Sequence, residues 1–269
     1  GSSPSAAALA GMAPLHIACA KGNMPLVRML LGKPNEASSD ITCATRGATA
    51  FIYACMYGQL STATSLVEEG LCRPQIRDSL GYTALHAAAE NGHEAVVQYL
   101  LSLPVLWLNA QDSLGFTPLQ RACQANCEAV VRMLLKEGAS ITHKNSAGAT
   151  ALLLACAGGY VNIARILVLE PGGGEMNSAE ASDEDQRPML PHFAMTTYMS
   201  KKKIEMRASF PTSNIQGMNK ETSQDGANVD VKDNLGWTAL HHAAAAGHID
   251  MINVCVSELG SPVNMRTKR

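Results

Sequence analysis

A glycine-led phrase recurs along this chain at a nearly fixed period, and it limits the fold more tightly than any other feature. It reads Gly11-Met-Ala-Pro-Leu-His16, Gly47-Ala-Thr-Ala-Phe-Ile52, Gly81-Tyr-Thr-Ala-Leu-His86, Gly115-Phe-Thr-Pro-Leu-Gln120, Gly148-Ala-Thr-Ala-Leu-Leu153 and Gly236-Trp-Thr-Ala-Leu-His241. The first four spacings are 36, 34, 34 and 33 residues. A unit this short cannot bury a core by itself, so the period predicts stacked copies that bury their faces against one another. Scaffolds of this kind most often bind other proteins and seldom do chemistry.

Residues 78 to 101 show how one copy folds. Asp78-Ser-Leu-Gly81 reads as a turn, because Asp and Ser bond locally and Gly accepts positive φ. Thr83 is placed to cap a helix, and Ala84 holds the slot that Pro14 and Pro118 occupy in other copies. Leu85, Ala88 and Ala89 give that helix an apolar face, and Asn91-Gly92 ends it. The same break recurs as Lys21-Gly22, Tyr57-Gly58, Gly158-Gly159 and Ala246-Gly247, with Asn126 in the fourth copy. Asn is the non-glycine residue best suited to a left-handed conformation. Val96, Val97, Leu100 and Leu101 then mark a second helix. Neither helix is long enough to be stable alone.

These phrases closely resemble the ankyrin repeat, and most strongly in residues 81–93 and 236–248. Lys136-Glu-Gly-Ala-Ser140 and Asp225-Gly-Ala-Asn-Val229 match that family's inter-repeat loop. The resemblance covers roughly 11–170 and 224–269. It implies an all-α solenoid of stacked helix-turn-helix pairs with projecting β-hairpin fingers, whose fingers and first helices form a concave groove that receives a protein partner. It also implies that His16, His86 and His241 brace the turns by hydrogen bonding. Ile52, Gln120 and Leu153 depart from that pattern. The expected organisation is a single ankyrin-repeat domain over 11–269, in about seven repeats: 11–46, 47–80, 81–114, 115–147, 148–180, an irregular 181–230 with insertions, and 231–269.

The irregular repeat is inferred from the 88 residues between Gly148 and Gly236. Pro171-Gly-Gly-Gly174 should end a helix, and residues 175–187 are polar and acidic without apolar periodicity. Leu190-Pro-His-Phe-Ala194 looks like a degraded repeat opening. Long insertions cost little closure entropy, so a tolerated surface loop is the plain account and a partner site the alternative. The basic run at 201–203 reads as a solvated helix face, with a nuclear address as the alternative. Asn264-Met-Arg-Thr-Lys-Arg269 opens another inter-repeat turn, which suggests a piece of a longer protein.

Composition narrows the function classes. With 46% apolar but only 4% aromatic residues, the chain suits thin helices packed through Ala and Leu. A net charge of -2 supplies no broad basic field for nucleic acid, and no apolar run of membrane-spanning length occurs. Of eight cysteines, Cys19, Cys55, Cys123 and Cys156 each lie eight residues after a repeat glycine, where Ala89 and Ala244 stand in other copies. That alternation predicts small buried positions rather than metal ligands, in a reducing, cytoplasmic setting. Cys123/Cys127 and the histidine pairs 86/93 and 241/248 lack further ligands at metal spacing, so neither cofactor nor metal is expected. Phosphate-loop, His-Glu-x-x-His and Gly-x-Ser-x-Gly motifs are absent, and no catalytic residues are assigned.

Positions that stacking does not require carry the candidate partner-binding residues. On the turns these are Arg77, Asp78, Tyr82, Gln111, Asp112, Phe116, Lys144, Asn145, Lys232, Asp233 and Trp237. On the first helices, Glu90, Arg121, Gln124 and His242 stand where other copies have Ala. The aromatic residues read either as turn packing or as contact anchors. Leu80, Leu114 and Leu235, just before the glycine, form a candidate apolar strip. The expected function is a monomeric, non-catalytic scaffold binding a protein or peptide in the concave groove. The alternative is the regulatory segment of a longer enzyme, acyltransferase or channel.

Overall fold

Threonine sets the start of most first helices. Thr49, Thr83, Thr117 and Thr150 each take extended backbone as N-cap, and each accepts the amide three residues on through its side chain. A cap of this kind contributes about 1 kcal/mol. The first repeat has Ala13 there without a side-chain bond and relies on Pro14 at the first helical position.

The computed structural model describes residues 12–31, 42, 46–103, 108–169 and 226–267. Inner helices are α1 (Pro14–Ala20), α3 (Ala50–Met56), α5 (Ala84–Glu90), α7 (Pro118–Gln124), α9 (Ala151–Gly158) and α11 (Ala239–Ala246). Outer helices are α2 (Met24–Leu31), α4 (Leu60–Glu68), α6 (Glu94–Ser102), α8 (Glu128–Lys136), α10 (Val161–Leu169) and α12 (Ile249–Ser257). At seven to nine residues each, they depend on packing rather than on propensity. Each outer helix folds back on its inner partner, and successive inner helices pack on one another from α1 to α11. The product is an all-α stack of helix-turn-helix pairs.

Small side chains let the inner helices approach. Ala54, Cys55, Ala88, Ala89, Ala122, Cys123, Ala155 and Cys156 are fully buried, with Val96, Val97, Leu100, Val131, Leu134, Ile163 and Leu167 filling the space under the outer helices. The four register cysteines are free thiols that pack as small hydrophobes. Ala244, in the last described repeat, is exposed, whereas its counterpart Ala89 is covered by the next inner helix.

The break after each inner helix is a left-handed residue. Gly58 has φ 71°, and a Cβ there would lie 2.7 Å from the His93 ring of the next repeat. Asn126, at φ 58°, is the one positive-φ residue other than glycine among the described residues.

No β-strand occurs among the described residues, so the β-hairpin fingers are not seen as such. The turns are too tight for a ladder: Asp78 and Tyr82 close one with a single backbone bond of 3.0 Å, and only an isolated Thr42–Thr49 bridge is present. Neighbouring turns are linked by one amide each, Ser113 to the Leu80 carbonyl at 2.7 Å and Ser146 to that of Leu114 at 3.0 Å. The irregular repeat lies largely outside the described residues. The pairs flanking it in sequence stack directly on each other: α9 packs on α11 and α10 on α12. Asn234 donates to the Ala147 carbonyl, His248 bonds that of Ala157, and Arg165 forks onto Glu258 at 2.7 and 2.8 Å.

Candidate functional site

Four of the described turns are each organised by one acidic or amide side chain three residues before the glycine. Asp78 Oδ1 accepts the amides of Leu80 and Tyr82, Asp112 those of Leu114 and Phe116, and Asp233 those of Leu235 and Trp237. Asn145 does the same for Ala147 and Ala149. These four side chains are buried, so their first role is to hold the turn.

The second carboxylate oxygen reaches outward. Asp112 Oδ2 accepts Arg121 Nε at 3.0 Å and its terminal nitrogen as well, and Asp233 Oδ2 meets His242 Nε2 at 2.9 Å. Burial opposes ionisation of both carboxyls. The Arg121 fork and the turn amides nevertheless hold Asp112 below the usual carboxylate range, and the Trp237 amide and His242 do so for Asp233. In the third repeat the helix position is Ala87, and Asp78 instead pairs with Arg46 of the preceding turn. Arg46 Nε stands 2.9 Å from Asp78 Oδ2 without hydrogen-bond alignment.

A chain of contacts crosses repeats two to four. The Arg46 guanidinium lies 4.6 Å from the centre of the Tyr82 ring, and the Tyr82 hydroxyl donates to Glu90. Glu90 stands 3.9 Å from Arg121, whose guanidinium covers Phe116 at 4.2 Å and contacts Gln124 at 3.5 Å. Tyr82 itself is buried, and burial together with Glu90 raises its hydroxyl pKa. Its ring stacks on His86, as the Trp237 ring packs beside His241 and His242. Glu90, Gln111 and Gln124 remain exposed.

The structure therefore joins Asp78, Tyr82, Glu90, Asp112, Phe116, Arg121 and Gln124 into one strip, and sets Asp233, Trp237 and His242 in a second group on the last repeat. Gln111 pairs with His143 and Lys144 with the Lys232 carbonyl, whereas Arg77 is half-buried, with its pKa lowered by desolvation. Arg46 was not among the sequence candidates. It occupies the position of Leu80, Leu114 and Leu235, and that register is the signal that would have found it.

His86 braces its own turn and the next repeat, and His241 bonds Thr238 in its own turn. Thr83 donates its amide to His86 Nδ1, so the proton sits on Nε2, which donates to the Phe116 carbonyl at 2.9 Å. Burial drives the His86 pKa down to about 4 despite that bond. Gln120 reproduces both contacts: Oε1 accepts the Thr117 amide at 3.1 Å, while Nε2 donates to the carbonyls of His143 and Ala149. Ile52 and Leu153 are buried apolar substitutes that pack instead.

Among the described residues no three His, Cys, Asp or Glu side chains converge on a metal site, and no helix is long and apolar enough to cross a membrane. His86, His242, Asp112 and Asp233 are bonded within and between the turns, a structural use of those groups, and the absence of such clusters is consistent with a non-catalytic repeat protein.

The family model "Ankyrin repeats (3 copies)" matches residues 3–73, 64–145 and 104–181, and "Ankyrin repeats (many copies)" matches 220–254. The chain belongs to the ankyrin-repeat family. It is similar to the E3 ubiquitin-protein ligase XBAT33 of Arabidopsis thaliana, 38% identical over 90 residues, which is 33% of this chain and 17% of that protein. It is also similar to the ankyrin repeat and KH domain-containing protein mask-1 of Caenorhabditis elegans, 35% identical over 97 residues, 36% of this chain and 4% of that one. Similarity to the human transient receptor potential cation channel subfamily A member 1 is 34% over 108 residues, 37% and 9% of the two chains. The matched stretch is less than a fifth of each relative.

Proposed function

We propose that this chain is a protein-interaction module that receives a partner protein or peptide across the turns and inner helices, without catalysis of its own. The supporting observation is the contact chain from Arg46 through Tyr82, Glu90 and Arg121 to Phe116. It fixes aromatic and charged side chains before a partner arrives, so association need not order them. Glu90, Gln111 and Gln124, exposed beside that fixed strip, are the contact residues. The module is a monomer in the reducing setting of the cytoplasm, where its buried thiols stay free.

Affinity capture from a lysate of the source cells, comparing wild type with a Glu90→Ala, Gln111→Ala, Gln124→Ala variant, tests this reading. A protein held by the wild type and lost by the folded variant supports it. Equal capture by both removes the strip from the account.

A second reading has its own observation. The relatives include a ligase and a channel, and each shares only a small part of its length with this chain. On that reading the stack is the regulatory segment of a larger protein, and its partner is another part of the same chain.

A further inference from the structure

Charge is sorted between the two sides of the stack. The three arginines on the outer helices are paired with carboxylates: Arg28 with Glu69, Arg132 with Glu128 and Arg165 with Glu258. The turn side differs. Four residues before Gly81, Gly115, Gly148 and Gly236 stand Arg77, Gln111, Lys144 and Lys232, and Arg266 holds the same register in the last turn. The Lys144 ammonium donates to the Lys232 carbonyl at 3.0 Å, and the Lys232 ammonium to the Arg266 carbonyl at 3.5 Å. Lys144, Lys232 and Arg266 thus form a continuous cationic row in which the two lysines bond carbonyls and keep their charge uncompensated. The carboxylates of Asp112 and Asp233 are buried and occupied within the turns; Asp230 is the exposed acid beside the row.

Exposed leucines stand three residues further along on three of these turns, and Ala147 holds that place on the turn of Lys144. Leu114 is 54% exposed and Leu235 is 66% exposed, with Leu80 at 47%. Leu114 and Leu235, on the turns before and after that of Lys144, border the row of Lys144, Lys232 and Arg266, and together they match a ligand that is both acidic and apolar. Spacing sets its conformation. Packed helices lie about 8–10 Å apart, so the cations recur at about that interval. A polyproline II segment repeats each side chain on one face every three residues, at ~9 Å.

We infer that the turn edge of the fourth, fifth and last described repeats binds an extended acidic peptide with a carboxylate at every third position and apolar residues between. This rests on the protein-interaction reading and specifies its partner's chemistry. Nucleic acid fits less well, because Tyr82, Phe116 and Trp237 are packed against Arg and His side chains rather than offered for stacking.

The probe is a fluorescent peptide of four Glu-Leu-Pro triplets, measured by anisotropy against the full chain at low and physiological salt. A peptide of the same composition with its glutamates clustered and a single-stranded oligothymidine serve as comparisons. The expected result is binding that weakens with salt, falls at least tenfold in Lys144→Glu, Lys232→Glu protein, and persists in an Arg132→Glu, Lys136→Glu variant, which reverses the same charges on the outer helix α8. Both variants change exposed or half-buried side chains, and circular dichroism checks their fold. The inference is overturned if charge reversal leaves affinity unchanged, if the clustered peptide binds equally well, or if the oligonucleotide binds more tightly. An equal loss of binding in the α8 variant would also overturn it while leaving the interaction reading standing. Absence of binding to any probe refutes this peptide chemistry, and the lysate capture decides the broader reading separately.

Discussion

At the scale of single residues, the turns depend on donors and acceptors that have no substitute nearby. Removing the Asp112 carboxylate strands the amides of Leu114 and Phe116, so Asp112→Ala should cost about 3 kcal/mol in chemical denaturation. Asp112→Asn should cost about 1 kcal/mol, because Asn145 shows that an amide oxygen organises the same turn. His86 gives a pH prediction. Its pKa of about 4 in the fold lies below its ordinary value, so the unfolded chain binds the proton first as pH falls. Stability from this site is intact above about pH 6.5 and declines by up to ~3 kcal/mol as pH drops towards 4. His86→Gln, which copies the arrangement at Gln120, should fold and show a smaller loss of Tm between pH 7 and 5 than the wild type. An equal loss would show that His86 is not the acid-sensitive group. The phrase made His86 legible as a brace, but Gln120 read as a departure. A neutral imidazole and an amide each offer one acceptor and one donor on opposite sides, an equivalence that matching by residue type does not register.

At the scale of elements, the helix pairs were legible because threonine caps, small inner positions and Val/Leu outer positions recur in step. Cys123 is fully buried between inner helices, so Cys123→Leu should cost about 1–3 kcal/mol by overpacking, with Cys123→Ala much milder; urea midpoints distinguish them. Gly58→Ala should be comparably harmful, since its Cβ would meet the His93 ring in a conformation that alanine resists. The turns were less legible. The resemblance implies β-hairpins, whereas one side chain and one or two backbone bonds close each described turn. Arg46 was missed because its partner Asp78 lies in the next repeat, and pairing across repeats leaves no trace in a single phrase.

At the scale of the molecule, the long interval before Gly236 suggested an added repeat, but spacing along the chain does not say which repeats touch. Here the fifth pair and the last pair share an interface, and the Ala227 amide donates to the Leu167 carbonyl at 2.9 Å where the chain rejoins the stack. Replacing residues 171–224 by a short Gly-Ser linker should therefore leave a single cooperative transition with Tm changed by only a few degrees. Separate melting of the last repeat would refute that interface. The central claim is that the turns and inner helices form a preset partner surface. Hydrogen–deuterium exchange on the free chain and on its complex with the captured partner tests it most directly. The account predicts added protection over 111–124 and around Glu90, with α6 and α8 unchanged. Protection confined to the outer helices would contradict it.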